Sequence, residues 1–298
     1  MVFGNLWADA VGPGGGVDRD RCECFDQFRP QQPKHVRFHD ERQDTSAAGW
    51  RHLLALIEEA VADGREVFRP LAVLSPDERR EIVTLPPSIA KLVAVKHLVL
   101  YGSNLVRIPP EIGAMTSLEE FSPYTSRRLH WFPYELTRCG MLRRSTVSTR
   151  SVYGNYKLRP PFPRLSGLDA AGCLDLDDLD PGVWGATAVR TCSICDQPIS
   201  EAGPHQVWIS MRIATDVLPL LVNACSSACI QALPRAAEGY VLTPHKGGLD
   251  VVQPAPGRRR IRPRLSLPTG GAVEARHMTF CPSRAASVVS RLMVLPTL

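Results

Sequence analysis

Two cysteine pairs carry most of the chemistry this sequence could do. Cys192 and Cys195 stand in "TCSICDQPIS" with two residues between them, and Cys225 and Cys229 stand in "NACSSACIQALP" with three. Each pair spans a loop short enough for both thiolates to reach one ion, and four soft ligands in tetrahedral array are what zinc prefers. Four thiolates would also fill the coordination shell, leaving no position for an activated water, so the expected role of a zinc here is structural rather than catalytic. Two other readings compete. A redox pair wants a strand before it and a helix directly after it, whereas "DQPISEAGPH" follows Cys195. Idle thiols would leave the second pair and the strands between the pairs unexplained.

The intervening 29 residues show what would position these thiols. "HQVWISMRI" alternates like a strand, "LPLLVNA" reads as a second apolar strand, and "CSSACIQAL" reads as a helix opening at the second pair. A helix start also favours thiolates. This order of knuckle, hairpin and helix, over about residues 189–235, resembles the treble-clef zinc fold. The resemblance implies one structural zinc on Cys192, Cys195, Cys225 and Cys229. No H-x-E motif precedes the first pair, as a zinc deaminase would need, and no second set of paired ligands suggests a ring-type module. Cys22 and Cys24, with His35 and His39, lie in a segment without apolar periodicity and make a poor chelate.

Upstream, "AAGWRHLLALIEEAVADG" spaces Trp50, Leu53, Leu54, Ile57 and Val61 as a helix face, with Gly64 as its stop. A second helix opens at Ser75, with Pro76 in its first turn and Glu78 placed for a capping box. Then the chain repeats. "LPPSIAKL", "IPPEIGAM" and "FPYELTRC" are one phrase in three versions, with Pro86, Pro109 and Pro133 spaced by 23 and 24 residues. A second ladder runs through Val95, Leu118, Leu142 and Leu165. The strand-like "VKHLVLYGSNLVRI" sets Leu98, Leu100, Leu105 and Ile108 between phrases. Over about residues 85–168 this resembles the leucine-rich repeat proteins, in the bacterial-looking variety. Ser103 departs from that family, since it stands where Asn is usual. Pro123 also departs, at an inward strand position where it weakens the sheet. Cys139 falls on a core position matching Leu92 and Met115, which makes it a core residue rather than a nucleophile.

The expected fold class is therefore α/β: a short capped leucine-rich repeat solenoid with a parallel sheet, a small zinc-binding α+β module, and disordered termini. The expected organisation is a disordered N-terminus (1–44), a helical cap (45–84), repeats (85–168), an acidic linker (169–188), the zinc module (189–235) and a mostly disordered basic tail (236–298). What seals the far end of the repeats is not evident. Residues 257–298 hold eight Arg and one Glu, so only this stretch is strongly basic. Its arginines at 258–264 are not interleaved with aromatics, and any nucleic-acid binding should be weak and salt-sensitive. No apolar run is long enough for a membrane span, and the first residues lack the pattern of a secretory signal.

No phosphate loop, H-E-x-x-H or G-x-S-x-G motif stands in the sequence. The expectation is a non-enzymatic, cytoplasmic binding or adaptor protein with a protein partner. The alternatives are a nucleic-acid binder acting through the zinc module and the Arg-rich tail, and an enzyme with an unrecognised thiol or zinc site. Repeat proteins of this kind recognise partners on the concave sheet. Strand alternation puts His97, Val99 and Tyr101 on that face, and one repeat further Glu120, Ser122 and Tyr124, then Arg144. These seven residues are the expected contact surface, with the two tyrosines as anchors.

Overall fold

The computed structural model describes residues 41–126, 128–147, 162, 164–165, 190–201, 203–248 and 250–254. All lie in one unit, Met1–Gly257. The Cys22/Cys24 segment, the acidic connector 169–188 and the arginines 258–264 fall outside the described residues.

Helix α1 (Ala48–Asp63) buries Trp50, Leu53, Leu56, Ile57 and Ala60. The stripe is turned slightly from the expected one: Val61 is 39% exposed, and Leu56 and Ala60 take the inward positions. Gly64 ends the helix in the left-handed region (φ 65°), its N–H donating to the Ala60 carbonyl. A single turn, α2 (Pro70–Val73), follows, then α3 (Pro76–Glu81). Ser75 and Glu78 form the reciprocal capping box at the start of α3. Helices α1 and α3 meet at Gly49, whose N–H donates to Glu81 Oε2 at 2.6 Å. A Cβ there would lie 2.5 Å from the Glu78 carbonyl oxygen, so only glycine permits the approach.

Residues 41–44 differ from the expectation of disorder. Gln43 is only 4% exposed; its amide donates to the Glu81 carbonyl (2.9 Å) and accepts the Val83 N–H (2.9 Å). One buried side chain thus satisfies the backbone where α3 runs out.

Strands β1 (Val67–Phe68), β2 (His97–Val99), β3 (Glu120–Ser122) and β5 (Arg144–Ser145) form a parallel sheet in that order. The 3-10 turns Pro87–Lys91, Pro110–Ala114 and Tyr134–Arg138 lead into β2, β3 and β5, with Pro86, Pro109 and Pro133 at their N-caps. The register pairs His97 with Glu120 and Glu120 with Arg144, the same 23- and 24-residue steps that space the prolines. Leu98, Leu100, Leu105 and Ile108 are buried, as are Ile112, Met115, Leu118 and Phe121 one step on. Cys139 is buried too; desolvation pushes its thiol up to about 11, which suits a core residue. At the expected Asn position, the Ser103 hydroxyl lies 2.7 Å from that of Ser126, which donates to the Leu100 carbonyl. Two serines one step apart thereby close the turn polar groups. Strand β3 ends at Ser122, in register with Val99, and Pro123 has no N–H to match the one that its counterpart Leu100 donates to the Ser122 carbonyl.

The far end of this sheet is covered by a hairpin. Strands β6 (His205–Ile213) and β7 (Asp216–Ala224) pair antiparallel around Ala214 (φ 49°) and Thr215. Strand β4 (Phe132–Pro133) pairs parallel with β7 at Leu220 and Leu221. The Thr215 hydroxyl donates to the Ser145 carbonyl (2.7 Å) and accepts the Ser145 N–H (3.2 Å), while the Ser145 hydroxyl donates to Asp216 (2.9 Å). Edge strand β5 is thus paired by side chains of the hairpin turn. One core cluster runs from Trp50 through Phe121 and Cys139 to Val222 and Ala224. Residues of both 85–168 and 189–235 belong to this one cluster.

Both faces of the hairpin are buried. Val207 and Ile209 join the main core, whereas Trp208 packs with Phe162, Leu165 and Leu221 in a second cluster. Leu165, the fourth rung of the expected ladder, therefore sits away from the main core, its N–H donating to the Lys246 carbonyl. Of the stretch expected as a mostly disordered basic tail, residues 236–248 and 250–254 are ordered, and His245 exchanges two backbone hydrogen bonds with Trp208 (2.8 and 3.1 Å).

Two outcomes follow from this packing. Gly49→Ala should cost about 1–3 kcal/mol by overpacking α1 on α3, read as a lower melting temperature, while Gly140→Ala, with nothing near its Cβ, should leave it unchanged. The second concerns His245, whose Nδ1 accepts the Gly247 N–H (3.0 Å) and whose ring meets Phe162 edge-on at 4.7 Å. Burial brings its pKa down from 6.5 to about 4. Between those values the unfolded chain binds a proton and the folded chain does not, so stability falls as pH drops from about 6.5 to about 4. The loss is on the order of 2 kcal/mol, and denaturant titrations across that window should show it flattened in His245→Asn.

Candidate metal centre and exposed sheet face

Short loops at the base of the hairpin, one before β6 and one after β7, bring the four cysteines together. On one side, Thr191 bridges Pro198, the Cys192 N–H donates to the Gln197 carbonyl (2.8 Å), and Asp196 N–H returns to the Cys192 carbonyl (3.1 Å). Asp196 takes φ 59° to turn this tight knuckle. On the other, Cys225 follows β7 directly and Cys229 lies on helix α4 (Ser227–Gln231), whose N-cap Ser226 accepts the Cys229 N–H (3.3 Å). The hairpin joins the two, since His205 pairs with Ala224 at its base.

The four Sγ atoms lie within 4.8 Å of one another and could hold a metal ion. Cys195, Cys225 and Cys229 form a triangle with every edge 3.6 Å. A tetrahedral ion with bonds of about 2.3 Å to sulfur needs edges of about 3.8 Å, so the donor set fits a thiophilic metal; a disulfide would need about 2 Å. Cys192 is the buried corner and Cys195 the exposed one.

Without an ion this crowding resists ionisation. Burial works against a Cys192 thiolate, yet backbone N–H groups of Cys195, Cys225 and Ile194 outweigh it and bring the thiol down to about 7. Cys225 goes the other way: the thiols of Cys195 and Cys229 push it up to about 12. One corner is ready to bind, and at least one other must exchange its proton for the metal.

Residues outside the cysteine motifs hold the knuckle. The Arg138 guanidinium, from the 3-10 turn before β5, donates to the Ser193 carbonyl (2.9 Å) and pairs with Asp196 (2.6 Å). Glu135, on the same turn and buried, bonds the Ser193 hydroxyl; desolvation holds its carboxyl above the usual range. The Ser193 hydroxyl also accepts the Asn223 N–H from β7 (3.0 Å). Nothing near Arg138 in sequence marks it, because its contacts are more than fifty residues away.

The seven expected contact residues lie together on the outward side of the parallel sheet. His97, Glu120 and Arg144 stand in one row on β2, β3 and β5, Val99 and Ser122 in the next. Glu120 Oε2 lies 3.6 Å from Arg144 and 3.9 Å from His97. Tyr101 and Tyr124 are 42% and 45% exposed, with ring centroids 5.7 Å apart at 41°. Val99 and Ser122 are half-buried.

No model of a known protein family matches this chain, and none of the curated proteins matches it. Among the described residues no helix is long and apolar enough to cross a membrane.

Metal uptake at neutral pH should release protons from the cluster, and retention should fall as the medium is acidified. Cys225→Ser should drop the metal content below one ion per chain by elemental analysis. Undiminished content in that variant would mean that the ion sits elsewhere.

Proposed function

We propose that this chain is a non-catalytic binding protein of leucine-rich repeat type, which recognises a protein partner through the outward face of its parallel sheet. In this reading the four cysteines hold one structural zinc in a treble-clef-like module, and the protein works in the cytoplasm. The carrying observation is the side-by-side exposure of Tyr101 and Tyr124 above the row of His97, Glu120 and Arg144. Paired aromatics beside an Arg are the groups in which binding energy concentrates.

A structural zinc agrees with the donor set, since four sulfurs leave no vacancy for substrate or water. Three further features speak for the repeat reading. The proline-headed 3-10 turns recur, strand register follows the sequence period, and the serine pair takes the place of the usual Asn ladder.

Replacing Tyr101 and Tyr124 together by Ala should reduce capture of the partner by at least about tenfold, with melting temperature and circular dichroism near wild type. The comparison is affinity capture by the intact chain and by the double variant from the same lysate. Equal capture by the two would move recognition off this face.

A further inference from the structure

The proposed zinc and the proposed binding face lie in different parts of the sequence, yet two lines of contact join them. Strand β5 carries Arg144 onto the face, where its side chain is 70% exposed. The strand is two residues long and bonds on one side to β3, through Arg144 N–H to the Glu119 carbonyl (3.1 Å) and Thr146 N–H to the Phe121 carbonyl (3.0 Å). So short an edge strand does not hold itself; its position depends on what covers its other side.

That other side is the hairpin turn, where Thr215 bonds both the N–H and the carbonyl of Ser145. The hairpin runs nine residues per strand from this turn to a base that opens directly into Cys225. The second line comes through the 3-10 turn Tyr134–Arg138, which leads into β5 and whose Arg138 and Glu135 grip the knuckle of Cys192 to Asp196. Both supports of β5 therefore end at the metal cluster. The knuckle is itself too small to hold its shape by apolar burial, and a metal supplies that order.

We infer that the metal controls the recognition face: with zinc bound, the knuckle and hairpin base fix β5 and present Arg144 beside Glu120 and the tyrosines, and loss of zinc frees β5. The inference rests on the zinc and binding-face readings above and adds regulation to them. Coupling of this kind is reciprocal, so a partner that needs an ordered β5 also tightens zinc binding by the same factor.

Hydrogen exchange on the full chain, zinc-loaded and after chelation, tests this without any knowledge of the partner. Removal of zinc should speed exchange at Arg144 and Thr146 by at least about tenfold, while His97, held by the Glu66 carbonyl at the other end of the sheet, changes by less than about threefold. Thr215→Val provides an independent arm, since it cuts the strap and leaves every cysteine in place. The zinc-loaded variant should keep one zinc per chain and still exchange faster at Arg144 and Thr146. If chelation unfolds the whole chain, so that His97 exchanges as fast as Arg144, this variant decides. A chain that takes up no zinc overturns the metal reading and the inference with it. A chain that binds zinc but keeps Arg144 and Thr146 protected after its removal, or in the loaded Thr215→Val variant, overturns the inference alone.

Discussion

Parallel strands of two or three residues cannot make a stable sheet unless both edges are supported and the layer beneath is filled. At one end, α1, α3 and the Gln43 strap supply Trp50, Leu53, Ile57 and a closed set of backbone hydrogen bonds. At the other, a single hydroxyl does what a neighbouring strand would do: Thr215 satisfies Ser145 on both backbone groups. The hairpin behind it carries Leu218, Leu220 and Val222 into the same core as Phe121 and Leu136. The sheet is as stable as this second seal, and the second seal is built on the hairpin that brings the four cysteines together.

Electrostatics at that base point the same way as packing. Thiols 3.6 Å apart disfavour joint ionisation, and a divalent ion bound among them would offset that cost. Arg138 and Glu135 join the cysteine knuckle to the turn that enters β5. In the proposed reading, recognition on the outward face depends on this cluster.

Much of the local structure was legible in the sequence because its causes are local. Ser75 and Glu78 cap α3 through atoms three residues apart, and the cysteine spacing reflects how far a short loop can reach. The strand register could be read from the proline spacing, since each turn sits on the one before it. What escaped was long-range and polar. Gln43 folds back about forty residues to α3, Thr215 reaches seventy to Ser145, and Arg138 reaches more than fifty to the knuckle. A lone Gln, Thr or Arg carries no periodic signal, so the ordering of 41–44 and the second seal were both invisible. Leu165 kept the spacing of the ladder but not its place, because Trp208, on the opposite face of β6 from Val207 and Ile209, offered it another cluster.

The sheet and the cysteine-bearing hairpin share one core and should therefore fold as one body. Calorimetric unfolding of the metal-loaded chain tests this most directly. One transition, with calorimetric and van't Hoff enthalpies equal, is the predicted result. Two separable transitions, the later one retaining the signal of the parallel sheet after the hairpin has melted, would contradict it.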